Sequence, residues 1–124
     1  MIEYIVKVDD NGSRCWYLNG KIHREDGPAV ESYDGSRYWY LNGNYHREDG
    51  PAIEHTNGTR QWYLNGLRHR EDGPAIEHTN GTRYWYLNGV EYTEEEFLKK
   101  TAKVKELTVA EIESLLGYQI KVVK

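Results

Sequence analysis

The tetrapeptide His-Arg-Glu-Asp occurs three times in the chain and combines an imidazole, a guanidinium and two carboxylates. Its copies begin at His23, His46 and His69 and continue into the longer motif HREDGPA. Imidazole and carboxylate groups at this spacing are typical of general acid–base catalysis and of metal binding. Three equal copies offer no unique pocket, however, and histidines two strands apart lie about 10 Å from each other, too far for one zinc ion. We therefore predict no catalytic residue, no metal site and no cofactor.

The same motif is typical of a structural turn. In the second copy we expect Asp49 to cap the Gly-Pro reversal, and Arg47 to pair with Glu48 or with an acid of a neighbouring unit. Two alternatives stay open at this point: a contact with a ligand, and a site within one unit such as His46 with Asp49.

The motif belongs to an internal repeat of 23 residues. Trp16, Trp39, Trp62 and Trp85 each open the pentapeptide WYLNG, and a Gly-Ser-Arg or Gly-Thr-Arg tripeptide recurs at the same spacing. Eleven of the twelve glycines, all three prolines and all four tryptophans occupy repeat positions, which chance does not produce. The chain is therefore a tandem array of about three and a half units over residues 9–90.

Each unit predicts two short strands and two turns. In the segment 37–41 the residues Arg37, Trp39 and Leu41 alternate with two tyrosines, so they share one face of a strand. Asn42-Gly43 is a strong hairpin signal, and a second turn follows in the Glu-Asp-Gly-Pro segment. The second strand is then predicted at Ala52–His55. Because aromatic residues outnumber the aliphatic ones inside the array, a tryptophan ladder is the expected core and a tyrosine ladder the expected opposite face.

The composition changes after residue 90, and two regions are predicted: 1–90, a β-hairpin repeat ribbon with an N-terminal strand at Ile2–Val8, and 91–124, a helical cap with a terminal strand. Thr93 with Glu96 and Thr108 with Glu111 are capping boxes for two helices, of which the second ends at Gly117. The alternating segment 118–122 is the predicted terminal strand. The expected fold class is thus mainly β, an antiparallel meander of tandem β-hairpin repeats with a C-terminal α-helical cap.

Charge and hydropathy exclude several classes of function. Asp and Glu number 20 against 16 Lys and Arg, so no cationic track is expected and direct nucleic-acid binding is disfavoured. No apolar run approaches the roughly 18 residues of a membrane span. Cys15 is the only cysteine, which leaves no disulfide within the chain and is typical of the cytoplasm.

The tandem WYLNG and HREDGPA motifs resemble membrane occupation and recognition nexus (MORN) repeats, and more narrowly a variant of them found in proteins of bacteriophages and giant viruses. The resemblance covers about two-thirds of the chain and implies a scaffold for protein or lipid contacts. The HREDGPA insert departs from the usual repeat, so no lipid-binding residues are carried over. The resemblance implies a non-enzymatic inhibitor that binds a host defence protein in the host cell cytoplasm.

Comparison of the units with one another locates candidate contact positions. Some slots vary between units, so the scaffold does not dictate their residues, and exposed tyrosine is enriched at binding hot spots. The candidate binding residues are Tyr38, Tyr45, Gln61, Arg68, Tyr84, His55 and His78.

Other functions and assembly states stay open from the sequence. The aromatic stripes can stack nucleobases, which gives an alternative function as a sponge for a nucleotide signal. A DNA-mimic inhibitor and a purely structural assembly are further alternatives. The strand Ile2–Val8 carries apolar residues on both faces, which favours a homodimer; in the competing monomer, Ile120, Val122 and Val123 pair back against that strand.

Overall fold

A computed structural model describes residues 3–102, 109–110, 113 and 117 of the chain. Within these residues the protein is mainly β, with antiparallel strands and one C-terminal helix, as predicted. The elements are β1 (Ile5–Val8), β2 (Arg14–Leu18), β3 (Lys21–Ile22), β4 (Val30–Glu31), β5 (Arg37–Tyr38), β6 (Tyr40–Leu41), β7 (Asn44–Tyr45), β8 (Ile53–Glu54), β9 (Arg60–Gln61), β10 (Tyr63–Leu64), β11 (Leu67–Arg68), β12 (Ile76–Glu77), β13 (Arg83–Leu87), β14 (Val90–Tyr92) and α1 (Glu94–Thr101).

The strands follow one another across the sheet in chain order. The main path is β1-β2-β4-β5-β8-β9-β12-β13-β14, with β3 paired to β2, and the hairpins β6-β7 and β10-β11 lie beside it. Backbone hydrogen bonds connect these hairpins to the units before them, for example from the Gly43 amide to the Ile22 carbonyl at 2.8 Å and from the Arg24 amide to the Tyr40 carbonyl at 3.1 Å. Sequential antiparallel pairing is the arrangement that short turns permit, because parallel neighbours would need long crossovers.

The Asn-Gly pairs reverse the chain at the end of each tryptophan-bearing strand. Asn42 has φ 51° and Gly43 has φ 82°, and the same values recur within a few degrees in the other units. Positive φ at both positions is the geometry of the two-residue hairpin turn that matches strand twist. The turn aligns Tyr40 with Tyr45 and Leu41 with Asn44.

The return strand of each unit is divided into two pieces. The Trp39 carbonyl accepts from the His46 amide at 3.0 Å, while the Trp39 amide donates to the Ala52 carbonyl at 2.7 Å. One tryptophan backbone therefore bonds the chain both before and after the intervening Arg-Glu-Asp-Gly-Pro loop. The sequence predicted a single second strand at Ala52–His55, whereas the structure has β7 before the loop and β8 after it.

An arginine in this loop folds back over the tryptophan. The Cζ atom of Arg47 lies 3.9 Å from the centroid of the Trp39 ring. Its Nε donates to Asp49 Oδ1 at 3.0 Å, and one terminal nitrogen donates to the Pro51 carbonyl and to Glu54 Oε1, both at 3.1 Å. Arg24 on Trp16 and Arg70 on Trp62 make the equivalent contacts. We call this arrangement the arginine clamp.

The clamp corrects the expected partner of Arg47. Arg47 pairs with Asp49 and with Glu54, the acid seven residues further on, and not with Glu48. Glu48 lies beside the His46 ring instead. The reason is that the guanidinium reaches back across its own loop to the tryptophan, which places it beside the start of the following strand.

The tryptophans are half-buried, so the expectation that they form the core is wrong. A charged guanidinium and not an apolar layer covers each clamped ring, and it leaves the rest of the indole accessible. The buried apolar residues are three alanines, two isoleucines on the opposite face of the sheet and one phenylalanine of α1. They are Ala29, Ala52, Ala75, Ile53, Ile76 and Phe97.

The last unit is capped by α1 in place of a fourth loop. Thr93 and Glu96 form the predicted capping box, since each side chain accepts from the other's backbone amide at 3.1 Å. Phe97 is buried, and α1 contacts β13 and β14. The helix thus covers the end of the sheet where the clamp sequence is missing.

Parts of the other terminal predictions lie outside the described residues, namely Ile2, the capping box Thr108–Glu111 and the strand 118–122. Val109, Ala110 and Glu113 are helical, and the Gly117 amide donates to the Glu113 carbonyl at 2.8 Å. Gly117 has φ 76°, as a helix-ending glycine does. No helix in the described part of the chain is long and apolar enough to span a membrane.

We expect Gly73→Ala to destabilise the protein by about 1–2 kcal/mol, because the clamp leaves no room for a methyl group. A Cβ at Gly73 would lie 2.9 Å from Cζ of Arg70, and the guanidinium is held by three hydrogen bonds and the Trp62 ring. Urea unfolding measures the change.

The control is a double-mutant cycle with Arg70→Ala. Once the arginine is removed, Gly73→Ala should be neutral or slightly stabilising, since alanine restricts the unfolded chain. Equal costs in both backgrounds would contradict the close approach.

Candidate functional site

The histidine of each HREDGPA motif is engaged by the backbone of the next unit. His46 Nδ1 accepts from the Asn65 amide at 2.9 Å, and Nε2 lies 3.6 Å from Glu48 Oε1. His23 and His69 make the same two contacts. An acceptor role at Nδ1 places the proton of the neutral ring on Nε2, facing the glutamate. Each imidazole is therefore a bridge between successive units.

This geometry bears on one interpretation of the motif that the sequence left open, a site formed by His46 with Asp49. Asp49 bonds Arg47 and not His46, so these two groups do not form the pair considered from the sequence. The Arg24 guanidinium hydrogen-bonds Asp26 in the first copy and holds the pKa of that carboxyl below its usual value. Among the described residues, no group of three or more His, Cys, Asp and Glu side chains is arranged to hold a metal ion.

Two open grooves lie between successive loops on the tryptophan side. The larger, about 1020 Å³, has Trp62 and Leu64 on its floor and the second and third loops and the end of α1 as its walls. The smaller, about 670 Å³, has Trp39 and Leu41 in the equivalent positions. Both are bordered by clamp arginines whose charges are already paired.

A ladder of alternating charges crosses the same side of the sheet. Strand register aligns each arginine of the Gly-Ser/Thr-Arg tripeptides with the glutamates of the neighbouring strands. Each glutamate also bonds a clamp arginine. The sequence does not predict this ladder. Its neighbours are alternately 17 and six positions apart in the chain, and they come together only in the folded register. Its order is Arg14, Glu31, Arg37, Glu54, Arg60, Glu77 and Arg83.

The opposite side of the sheet carries the tyrosines, and we call it the tyrosine face. It is made of two rows of cross-strand neighbours. Aromatic rings contact one another along it, with centroids 4.4 Å apart for Tyr40–Tyr45 and 5.0 Å for Tyr45–Tyr63. The first row is Tyr17, Ile22, Tyr40, Tyr45, Tyr63, Arg68, Tyr86 and Glu91, and the second is Cys15, Val30, Tyr38, Ile53, Gln61, Ile76 and Tyr84.

All seven candidate binding residues lie on or against the tyrosine face. Tyr45 and Arg68 belong to the first row, and Tyr38, Gln61 and Tyr84 belong to the second. The remaining two, His55 and His78, contact Tyr38 and Tyr84 edge-on, at centroid distances of 5.8 and 6.0 Å. The structure thus brings residues from three slots of the repeat onto one surface.

Arg68 has an unusual place in this surface. Its guanidinium lies between two rings, 5.8 Å from the Tyr63 centroid and 5.4 Å from that of Tyr86. Its Nε is buried and has no hydrogen-bond partner among the described residues. Ile22 and Tyr45 occupy the equivalent positions in the other units, so a cation at this position is specific to the third unit.

Comparisons with models of protein families, with curated proteins and with solved structures gave no match to this chain.

Replacing His46 with leucine should cost about 0.5–1.5 kcal/mol of stability, because the exposed Asn65 amide loses its acceptor in the protein. His46→Asn is the matched control, since the asparagine Oδ1 stands at the position of Nδ1 and can accept the same bond. Urea unfolding of both variants separates the two effects. If both variants lose the same stability, the bond to Asn65 is not what the imidazole contributes.

Alkaline pH should weaken the fold through the tyrosine face. Burial raises the pKa of Tyr38, and burial together with the hydroxyl of Tyr45 raises the pKa of Tyr40, above the ordinary value of 10.0. A raised pKa means that the folded state binds the proton more tightly, so the stabilisation is complete below pH 10 and is lost as pH rises above it. Unfolding measured from pH 8 to 12 should show this loss, and the double variant Tyr38→Phe/Tyr40→Phe should show less of it.

Proposed function

We propose that the protein is a non-enzymatic protein-binding module and that the tyrosine face is its contact surface. The observation that carries this proposal is the composition of that face, where Arg68 is held between Tyr63 and Tyr86 with its Nε unpartnered. Tyrosine and arginine in partly desolvated surroundings dominate the energetics of protein interfaces.

The arrangement of the rings supports binding by a pre-formed surface. Tyr45 contacts Tyr40, Tyr38 and Tyr63 at once, so its side chain is fixed before any partner arrives. Ordering a side chain on association costs free energy, and a rigid aromatic surface avoids most of that cost. On the opposite face, in contrast, Arg14 and the clamp arginines are already paired with the glutamates of the ladder.

The exposed groups indicate what a partner surface offers. Arg68 is half-buried between Tyr63 and Tyr86, and its guanidinium is a donor for which a carboxylate or a backbone carbonyl of a partner is suitable. Tyr84 is 38% exposed and His78 lies against it, so both can donate to or accept from polar groups around an apolar centre. A protein surface with an acidic residue beside an apolar patch satisfies these requirements.

The particular role we propose is inhibition of a host defence protein by a phage-type protein in the host cytoplasm. Its support is the resemblance of the WYLNG and HREDGPA motifs to repeats of phage and giant-virus proteins, together with a contact surface that needs no reactive group. Binding alone, without chemistry, is sufficient to block a nuclease or a signalling enzyme.

Capture from bacterial lysates with matched variants tests the proposal. Immobilised protein should retain a stoichiometric partner, identified by mass spectrometry, and Tyr38→Ser/Tyr84→Ser should lose it. Tyr33→Ser is the control, because Tyr33 is 69% exposed but lies outside the two rows of the tyrosine face. Each hot-spot tyrosine should contribute about 2 kcal/mol, so calorimetry with the purified partner should show at least about a thirtyfold weaker Kd for the double variant.

Three results would contradict the proposal. The first is the absence of any stoichiometric protein across several host lysates. The second is a partner retained equally by the wild type and by Tyr38→Ser/Tyr84→Ser. The third is micromolar binding of cyclic or linear nucleotides in calorimetry, which would favour the nucleotide sponge.

A further inference from the structure

The first strand of the sheet leaves one edge without a partner among the described residues. β1 pairs with β2 on one side only, and all four of its residues are exposed. Ile5 is 61% exposed, Val6 44% and Val8 62%. An apolar edge strand of this kind is a template for pairing with another strand.

The hydrogen-bonding pattern fixes which backbone groups point outward. The Asp9 amide donates to the Ser13 carbonyl at 3.0 Å, so this pair is a bonded one. Bonded and non-bonded pairs alternate along an antiparallel ladder, so Lys7 and Ile5 are also bonded to β2. The amides and carbonyls of Tyr4, Val6 and Val8 therefore face the free edge.

We propose that two copies of this chain pair through these edges, in one antiparallel register with its two-fold axis at Ile5. In this register Tyr4 and Val6 of one copy exchange backbone hydrogen bonds with Val6 and Tyr4 of the second. Ile5 then lies opposite Ile5, and Glu3 opposite Lys7, at non-bonded pairs where side chains approach most closely. Each dimer contains the Glu3–Lys7 pair twice.

Charge disfavours two neighbouring registers that also bond the outward groups. An axis at Val6 would bring Glu3 opposite Asp9, and an axis at Lys7 would bring the two Lys7 ammonium groups together. Like charges at directly opposed positions are destabilising. The axis at Ile5 is the register that pairs opposite charges and joins apolar residues at its centre.

The dimer would join the tyrosine faces of the two copies. Ile5 is paired across the sheet with Tyr17, and Lys7 lies 4.8 Å from the centroid of that ring. Because paired residues in an antiparallel ladder project to the same side, both tyrosine faces lie on one side of the extended sheet. An isologous pairing of this kind closes after two copies and does not build a fibre.

A charge-swap cycle on the full chain tests the register. Sedimentation velocity across a concentration series should show a monomer–dimer equilibrium for the wild type. Glu3→Lys alone and Lys7→Glu alone should each raise the dimer Kd at least about tenfold, because both symmetric pairs become repulsive. The double variant Glu3→Lys/Lys7→Glu should restore association to near the wild-type value.

A second variant addresses the backbone bonds without changing charge. Val6→Pro removes an amide that points away from β2, so it should abolish the dimer while circular dichroism and thermal unfolding of the monomer stay unchanged. A single species near 14.6 kDa at every concentration would overturn the proposal. A dimer that neither single charge reversal weakens, or that the double variant does not restore, would overturn the register. These experiments use purified protein alone, so they do not depend on the contact proposed for the tyrosine face.

Discussion

The stacking of one arginine on one tryptophan is the interaction on which the rest of this structure depends. The return strand opposite Trp39 is interrupted between β7 and β8. The interruption leaves a five-residue loop that belongs to no strand. Arg47 holds that loop against the sheet with three hydrogen bonds and a ring contact at 3.9 Å. The loop glycine is required for the same reason, because a side chain at Gly50 would come within 3.0 Å of the guanidinium. The sequence HREDGPA is thus a set of mutually dependent contacts.

The two faces of the sheet differ in the kind of side chain that they present. On the tryptophan side, the clamp arginines and the glutamates of the ladder pair with one another. Such pairs gain little from a further partner, since their desolvation offsets the attraction. The tyrosines on the other side contact one another and leave hydroxyls and ring edges accessible. An aromatic surface whose rings already contact one another avoids much of the cost of ordering side chains on association.

The histidines illustrate how residues typical of catalysis can serve the backbone. Asn42, Asn65 and Asn88 have positive φ, and their amides point to a neighbouring unit and away from their own hairpin. Each finds its acceptor in a histidine Nδ1 at 2.9 Å, 19 residues earlier in the chain. Each of these bonds links a histidine to the unit that follows it, and the bond is present in all three copies of the motif.

Much of this fold follows from local sequence. The Asn-Gly turns, the alternation in the tryptophan-bearing strand and the Thr93–Glu96 capping box are short-range features, because each depends on the φ preferences or hydrogen bonds of residues within a few positions. Comparison of the units also placed the candidate binding residues in slots that the scaffold does not fix, and these slots turned out to share one face.

Only the tertiary structure decided where the arginine goes and what forms the core. Arg47 has acidic neighbours at Glu48, Asp49 and Glu54, and sequence spacing cannot rank them, because the choice depends on where Trp39 lies when the loop closes. The tryptophans were expected to form the core because their size is visible in the sequence. The sequence does not show that a guanidinium covers three of the rings or that alanines are buried instead. The sequence by itself determined the turns, the strand faces and the capped helix, since these are set by nearest neighbours. The fold determined the contacts between residues 17 to 21 positions apart, since these exist only once successive units lie side by side.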